Sequence, residues 1–212
     1  MKRLGIYGLA LVFLQALALV FAQPAFAKER LVLAFGDSLT AGYGLRPNES
    51  FPAQLQAALL RGGISARVHN AGVSGDTSAA GRGRLAFVLA GLKAKPDLVI
   101  VELGANDMLR GLKPEQTRAN LDAILTELRK RRIPVLLAGM RASPNLGKQY
   151  QAQFDSIFPA LARKHGTRFY PFFMNGVTPN RSLLIADQMH PNAKGVAVIV
   201  RGLYPLVADS LR

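Results

Sequence analysis

The chain has 212 residues, of which 50% are hydrophobic and 19% are charged, so it carries enough apolar material for one buried core. It contains no cysteine, which excludes disulfide bonds, a thiolate nucleophile and a lipid anchor on an N-terminal cysteine. Its formal net charge of +14 favours anionic binding partners. For an exported chain these are membrane or envelope surfaces rather than nucleic acid. The competing interpretation is that the charge only keeps the protein soluble.

Residues 1–27 have the pattern of a secretory signal. Two basic residues precede an apolar run over residues 4–22, and an Ala-Phe-Ala sequence ends the segment at Ala27. The pattern predicts cleavage after Ala27 and a periplasmic or secreted location, although the run is also long enough for an uncleaved anchor. A single domain then spans residues 28–212 with a net charge of +12, because the segment holds two basic residues and no acidic one.

Short apolar runs alternate with amphipathic stretches along this domain. The runs cover residues 31–36, 65–72, 97–104, 133–140 and 167–173. The amphipathic stretches lie near residues 50–61, 77–92, 114–132, 148–164 and 191–211. Buried parallel strands and crossover helices alternate in this way. The sequence therefore predicts an α/β fold, a three-layer α/β/α sandwich with a five-stranded parallel sheet. The alternation does not determine the strand order, for which we expect the flavodoxin-like one.

Polar motifs follow the predicted strands at the ends where ligands bind in such sheets. They are GDSLTAGYG at residues 36–44, NAGVSGDTS at 70–78, GANDMLRG at 104–111 and DQMHPN at 187–192. The carboxyl ends of parallel strands meet at one edge, so we expect the four segments to converge there.

Ser38, His190 and Asp187 are the candidate catalytic residues. A serine at the end of a strand is held rigidly, but its hydroxyl needs a base, and the base needs an orienting partner. His190 lies three residues after Asp187, which allows one loop to present an imidazole and a carboxylate together. The alternative is that Asp187 only caps the last helix. Of the other two histidines, His69 has a structural position on a strand and His165 is expected to be solvated at a helix end.

Acyl transfer also needs donors for a developing oxyanion, and the backbone N–H groups of Ser38 and Gly72 and the Asn106 amide are the candidates. Apolar and basic side chains beside the motifs are candidate substrate contacts, although core packing is the competing interpretation for the apolar ones. These residues are Met108, Leu109, Arg110, Arg141 and Met189. We expect no metal and no cofactor, since three aspartates near the motifs suit turns and caps: Asp37, Asp76 and Asp107.

These four motifs resemble those of the SGNH, or GDSL, hydrolases, in particular the bacterial exported arylesterases and the thioesterase/protease/lysophospholipase group. The resemblance covers nearly the whole predicted domain, with all four motifs in the family's order. It implies Ser38 as the nucleophile and Asp187 and His190 as its partners. It also implies an oxyanion hole of Ser38, Gly72 and Asn106 in a flavodoxin-like sandwich. The expected substrates are aryl and short- to medium-chain acyl esters, with lysophospholipids and acyl thioesters as further candidates.

Two alternatives remain open from the sequence. One is a carbohydrate deacetylase on the same scaffold, and the other is an envelope lipid-binding protein that keeps the crevice without catalysis. The sequence lacks the Gly-x-Ser-x-Gly elbow of the α/β-hydrolases, which makes Ser74 an ordinary loop residue. It also lacks a phosphate-binding glycine motif, which argues against nucleotide binding.

Overall fold

The computed structural model describes residues 28–212. The predicted signal segment, its cleavage site and the alternative anchor therefore lie outside the described residues. Within the described chain, no helix combines the length and the apolar character needed to cross a bilayer.

A five-stranded parallel sheet forms the centre of the fold. Its strands are β1 (Arg30–Gly36), β2 (Ala66–Gly72), β3 (Leu98–Glu102), β4 (Val135–Ala138) and β5 (Arg168–Tyr170). Their spatial order is β2-β1-β3-β4-β5, which is the flavodoxin-like order and confirms the predicted fold class. β3 and β4 are buried along their whole length, because helices cover both faces of the sheet.

Eight α-helices accompany the sheet in the described chain. They are α1 (Ser38–Ala41), α2 (Phe51–Arg61), α3 (Ser78–Ala90), α4 (Ala105–Leu109), α5 (Pro114–Lys130), α6 (Lys148–Asp155), α7 (Ile157–His165) and α8 (Ala193–Leu211). Short 3-10 turns occur at Pro47–Glu49, Pro144–Leu146 and Arg181–Leu183. α2 packs against α8 on one face, while α5 packs against α3 and α7 on the other.

One predicted helix is two in the structure. The stretch over residues 148–164 divides at Ser156 into α6 and α7. Pro159 explains the division, because it has no N–H for the carbonyl of Asp155 and its ring crowds that carbonyl. Proline is tolerated in the first turn of a helix, so α7 starts afresh just before it.

Candidate active site

Ser38 follows the carboxyl end of β1 by two residues and is the first residue of α1. The side chain of Asp37 caps this short helix by accepting from the Leu39 N–H at 3.0 Å. Gly36 has no room for a side chain, since a Cβ there would lie 2.2 Å from the Thr40 hydroxyl oxygen. The turn from β1 into α1 is thus packed tightly enough to fix the Ser38 backbone, while 9% of the residue remains exposed.

A continuous row of hydrogen bonds connects Ser38, His190 and Asp187. The Ser38 Oγ lies 2.8 Å from His190 Nε2, and His190 Nδ1 lies 2.6 Å from Asp187 Oδ2. Ser38 and His190 are 152 positions apart in the sequence, so the fold brings the two motifs together. Both ring nitrogens of His190 therefore have a partner suited to proton transfer.

The backbone of the His190 loop holds the Asp187 carboxylate. Its Oδ1 accepts from the Met189 N–H at 2.9 Å and from the His190 N–H at 3.0 Å. Burial alone raises the pKa of Asp187, but these backbone hydrogen bonds and the His190 ring outweigh it and lower the pKa below its ordinary value. Asp187 is therefore ionised at neutral pH.

Asp187 does not cap the last helix, contrary to the alternative raised from the sequence. Asn192 occupies the N-cap of α8, and its side chain accepts from the Lys194 and Gly195 N–H groups. The Tyr43 ring lies against the His190 ring with 4.7 Å between the centroids. It covers one face of the imidazole and limits its rotation.

Asn106, on α4, presents its amide beside Ser38. Its Nδ2 donates to Asp37 Oδ2 at 3.1 Å and to the Asp76 carbonyl oxygen at 2.9 Å. The loop after β2 and the turn after β1 thus orient this amide group from two sides.

The structure contradicts the prediction that the Gly72 N–H faces the crevice. This N–H donates to Asn70 Oδ1 at 3.0 Å, and a Cβ on Gly72 would lie 2.2 Å from the Ala41 nitrogen. Gly72 is therefore a glycine because α1 packs closely against it. The N–H groups of Ser38 and Gly75, in contrast, have no acceptor within residues 28–212.

Gly75 is the residue that the sequence reasoning missed. It adopts a φ of +84° in the loop after β2, and it precedes Asp76, whose carbonyl accepts from Asn106. The signal was present as the second glycine of Gly-Val-Ser-Gly. Gly72 was the candidate in the sequence because it is the glycine nearest the predicted strand.

Two buried carboxyl groups lie beneath Ser38. Glu102, at the end of β3, is fully buried and accepts from the Thr40 hydroxyl at 2.8 Å, while its Oε1 has no partner within the described chain. Burial and then the charge of Asp37 raise the pKa of Glu102 well above its ordinary value. Burial also raises the pKa of Asp37 to about 6, although hydrogen bonds and the His190 ring oppose this rise.

Glu102→Gln is expected to flatten the pH dependence of stability on the alkaline side of pH 5. The folded protein keeps a proton on Glu102 that the unfolded chain releases, so stability falls as pH rises, by roughly 1 kcal/mol per pH unit while the proton stays bound. Glutamine keeps an oxygen for the Thr40 hydroxyl but does not titrate, so this pH-dependent contribution to stability is lost. Urea unfolding of both proteins over a pH series measures it, and equal slopes would show that Glu102 ionises in the folded state.

The five predicted substrate contacts divide into three groups. Leu109 and Met189 are exposed at the same rim, by 57% and 51%. Arg110 donates to the Gly75 carbonyl at 2.7 Å, and the Arg141 guanidinium lies 5.4 Å from the centre of the Phe172 ring. Met108 instead belongs to the core, with 8% of it exposed, and its sulfur accepts from the Ser143 N–H at 3.2 Å. The prediction that Met108 contacts substrate is corrected accordingly, because this side chain is buried.

Of the remaining candidate residues, His165 and Asp107 have structural contacts, whereas His69 is exposed. His165 is buried, not solvated as expected, since 1% of its side chain is exposed and its Nε2 lies 2.6 Å from Asp122 Oδ1. His69 lies on the edge strand β2. Asp107 accepts from the Ser78 and Thr117 hydroxyls. Within residues 28–212 no group of three or more potential ligands has the arrangement needed to hold a metal ion.

The chain is similar to several known proteins. The family model described as the GDSL-like lipase/acylhydrolase family matches residues 34–198. The arylesterase of Vibrio mimicus is 37% identical over 183 residues, which cover 85% of this chain and 90% of the relative. The thioesterase 1/protease 1/lysophospholipase L1 of Escherichia coli is 36% identical over 193 residues, which cover 91% of this chain and 86% of the relative.

A solved structure is similar as well. The crystal structure of AlinE4, described as an SGNH-hydrolase family esterase, has 52% sequence identity and a TM-score of 0.76, and the match covers 89% of this chain and 100% of that one.

Proposed function

Because this chain belongs to the GDSL-like lipase/acylhydrolase family and is a serine esterase, we propose that Ser38, His190 and Asp187 are its catalytic triad. The substrates proposed are aryl and short- to medium-chain acyl esters. The observation that carries the proposal is the row of hydrogen bonds from Asp187 through His190 to the Ser38 hydroxyl. This is the arrangement by which an imidazole activates a serine.

The reaction proceeds in two halves. His190 Nε2 takes the proton of the Ser38 hydroxyl as its oxygen bonds to the ester carbonyl carbon, and the carbonyl oxygen becomes an oxyanion. The carbonyl re-forms, the alcohol leaves with the proton from His190, and an acyl group remains on Ser38. Water then gives a proton to His190 and attacks the acyl group. Return of that proton to Ser38 releases the carboxylic acid.

The proposed oxyanion donors are the Ser38 N–H, the Gly75 N–H and the Asn106 amide. The first two are supported by their lack of acceptors within the described part of the chain. The Asn106 amide is positioned by its contacts with Asp37 and Asp76. These contacts use both Nδ2 hydrogens, so Asn106 serves the oxyanion by exchanging one of them for the substrate oxygen. The two backbone N–H groups stabilise charge without reorganisation because they are oriented in advance.

The finer substrate range is also a proposal. Lysophospholipids and acyl thioesters are included because the Escherichia coli relative carries both activities in its name. Leu109 and Met189 offer exposed apolar surface at the rim, which suits acyl chains of different lengths, since one methylene changes binding by only about 1–3 kcal/mol. We place the activity in the periplasm or outside the cell, in keeping with the signal predicted over residues 1–27.

A fluorophosphonate tests the assignment directly. The reagent should phosphonylate Ser38 and no other serine, which peptide mass spectrometry of the labelled protein reports. In a crystal of the adduct, the phosphonyl oxygen should lie within ~3 Å of the Ser38 N, Gly75 N and Asn106 Nδ2 atoms. Label on Ser74, or a phosphonyl oxygen directed at Gly72, would overturn the respective assignment.

A further inference from the structure

The surface opposite the active site is formed by the N-terminal ends of the strands and the C-terminal ends of the flanking helices. We call this surface the base. It includes the start of each strand and the C-terminal ends of α2, α3, α5, α7 and α8. Along β1, Gly36 lies six residue steps from Arg30 at the base, or roughly 20 Å at about 3.3 Å per residue. Ser38 follows Gly36 by two residues. The base and the active site therefore face in opposite directions.

The base carries most of the positive charge of the domain. Its fourteen basic residues are Lys28, Arg30, Arg61, Arg67, Lys93, Lys95, Arg129, Lys130, Arg131, Arg132, Arg163, Lys164, Arg168 and Arg212. Its five acidic residues are Glu29, Asp97, Asp122, Glu127 and Asp209. The base thus holds nine of the twelve net positive charges of residues 28–212.

The acidic residues of the base already have partners. Each lies within salt-bridge distance of a basic neighbour: Arg30–Asp97, Arg67–Glu29, Arg131–Glu127, Lys164–Asp122 and Arg168–Asp209. Nine basic residues of the base therefore form no ion pair within the described chain. Cations at helix ends complement the helix dipole, and Lys93 lies just after the end of α3. Lys28 and Lys95 stand before β1 and β3, where that explanation does not apply.

Exposed apolar side chains lie near these charges. Leu60 is 52% exposed next to Arg61, and Phe87 is 83% exposed one turn before the end of α3. The phosphate backbone of duplex nucleic acid is polar and gains nothing from these two side chains. The boundary between lipid headgroups and acyl chains buries apolar side chains while its anionic headgroups attract lysine and arginine.

We propose that the base is a docking surface for bilayers of anionic phospholipid, and that docking leaves the Ser38 site facing the aqueous phase. This orientation follows because the base and the active site lie at opposite ends of the sheet. Soluble esters then reach the active site while the protein is bound, whereas lipids embedded in the same bilayer do not. The binding part of the proposal is independent of the catalytic assignments, because it needs neither Ser38 nor His190.

Vesicle sedimentation tests the binding. The variant with Arg61→Glu, Lys93→Glu, Lys130→Glu and Arg163→Glu should bind phosphatidylglycerol vesicles at least ~10-fold more weakly at low salt than the unchanged domain. The matched control reverses four charges away from the base: Lys113→Glu, Lys148→Glu, Arg181→Glu and Lys194→Glu. It should bind far better than the base variant, and equal losses in both would show that only overall charge matters.

Two further measurements separate the partner and the orientation. Phe87→Ser should weaken binding to vesicles without changing the net charge of the protein. Unchanged vesicle binding, or tighter binding to duplex DNA than to vesicles, would show that a bilayer is not the partner.

Hydrolysis of a soluble p-nitrophenyl ester should be unchanged when vesicles are added to saturation. Loss of this activity on binding would show that the active site faces the bilayer. Vesicle binding by a protein without esterase activity would refute the proposed function alone.

Discussion

Ser38→Ala is expected to lower kcat for p-nitrophenyl esters by about 10⁴–10⁶-fold, as loss of the nucleophile does in serine hydrolases. The change removes only the hydroxyl oxygen that lies 2.8 Å from His190 Nε2. The Asp37 cap of α1 uses the Leu39 N–H and does not involve this hydroxyl. Folding should therefore be preserved, and a thermal unfolding curve close to that of the unchanged protein is part of the expected result.

Ser74→Ala is the matched control for Ser38→Ala. Ser74 lies between Gly72 and Gly75 in the loop after β2, so it is close to the site along the chain but has no contact with His190. Its replacement should leave kcat within a few-fold of the original value. Turnover that survives in Ser38→Ala and disappears in Ser74→Ala would reverse the assignment of the nucleophile.

Asp187→Asn is expected to lower kcat by about 10⁴-fold, the size of effect seen when the acid of a Ser-His-Asp triad becomes an amide. Asparagine keeps an oxygen for the Met189 and His190 N–H groups, so the loop should hold its shape. Its amide, however, presents a donor to His190 Nδ1. The imidazole then carries its proton on Nε2, where it cannot accept the proton of Ser38.

The pH dependence of kcat/KM in Asp187→Asn is a further test of the role of Asp187. The pKa of Asp187 lies below its ordinary value, so the carboxylate is charged throughout the neutral range and the loss should persist at every pH from about 6 to 9. The measurement is kcat/KM for a soluble ester over that range. Near-normal turnover would mean that the carboxylate is a structural element of the loop and that another group orients His190.

The alternation of apolar runs and amphipathic stretches was sufficient to predict the layers and the five strands. It does not determine the strand order, which was an expectation that the structure confirms. It placed Ser38 and His190 at one rim, because in parallel sheets the chain direction decides where the loops lie. It could not choose between Gly72 and Gly75. That choice depends on which N–H remains unengaged, and the Asn70 side chain decides it through a contact two residues away.

Glu102 and His165 show a second limit of the sequence. A glutamate at the end of an apolar run gives no indication that Asp37 packs beside it, since the two residues are 65 positions apart. His165 follows two basic residues at a helix end, a pattern typical of solvent-exposed positions. Asp122 lies 43 positions earlier and is its partner, so burial of the imidazole depends on how α5 and α7 pack.

The helix cap of α8 and the carboxylate proposed to orient His190 are different residues in the same short loop, Asn192 and Asp187. Anchoring of a 19-residue helix is thus uncoupled from the chemistry, and mutations can change one without the other. Natural variants that lose turnover at Asp187 should still fold. Such inactive copies are ready starting points for new ligand-binding roles, and they can be used to trap substrates in crystals.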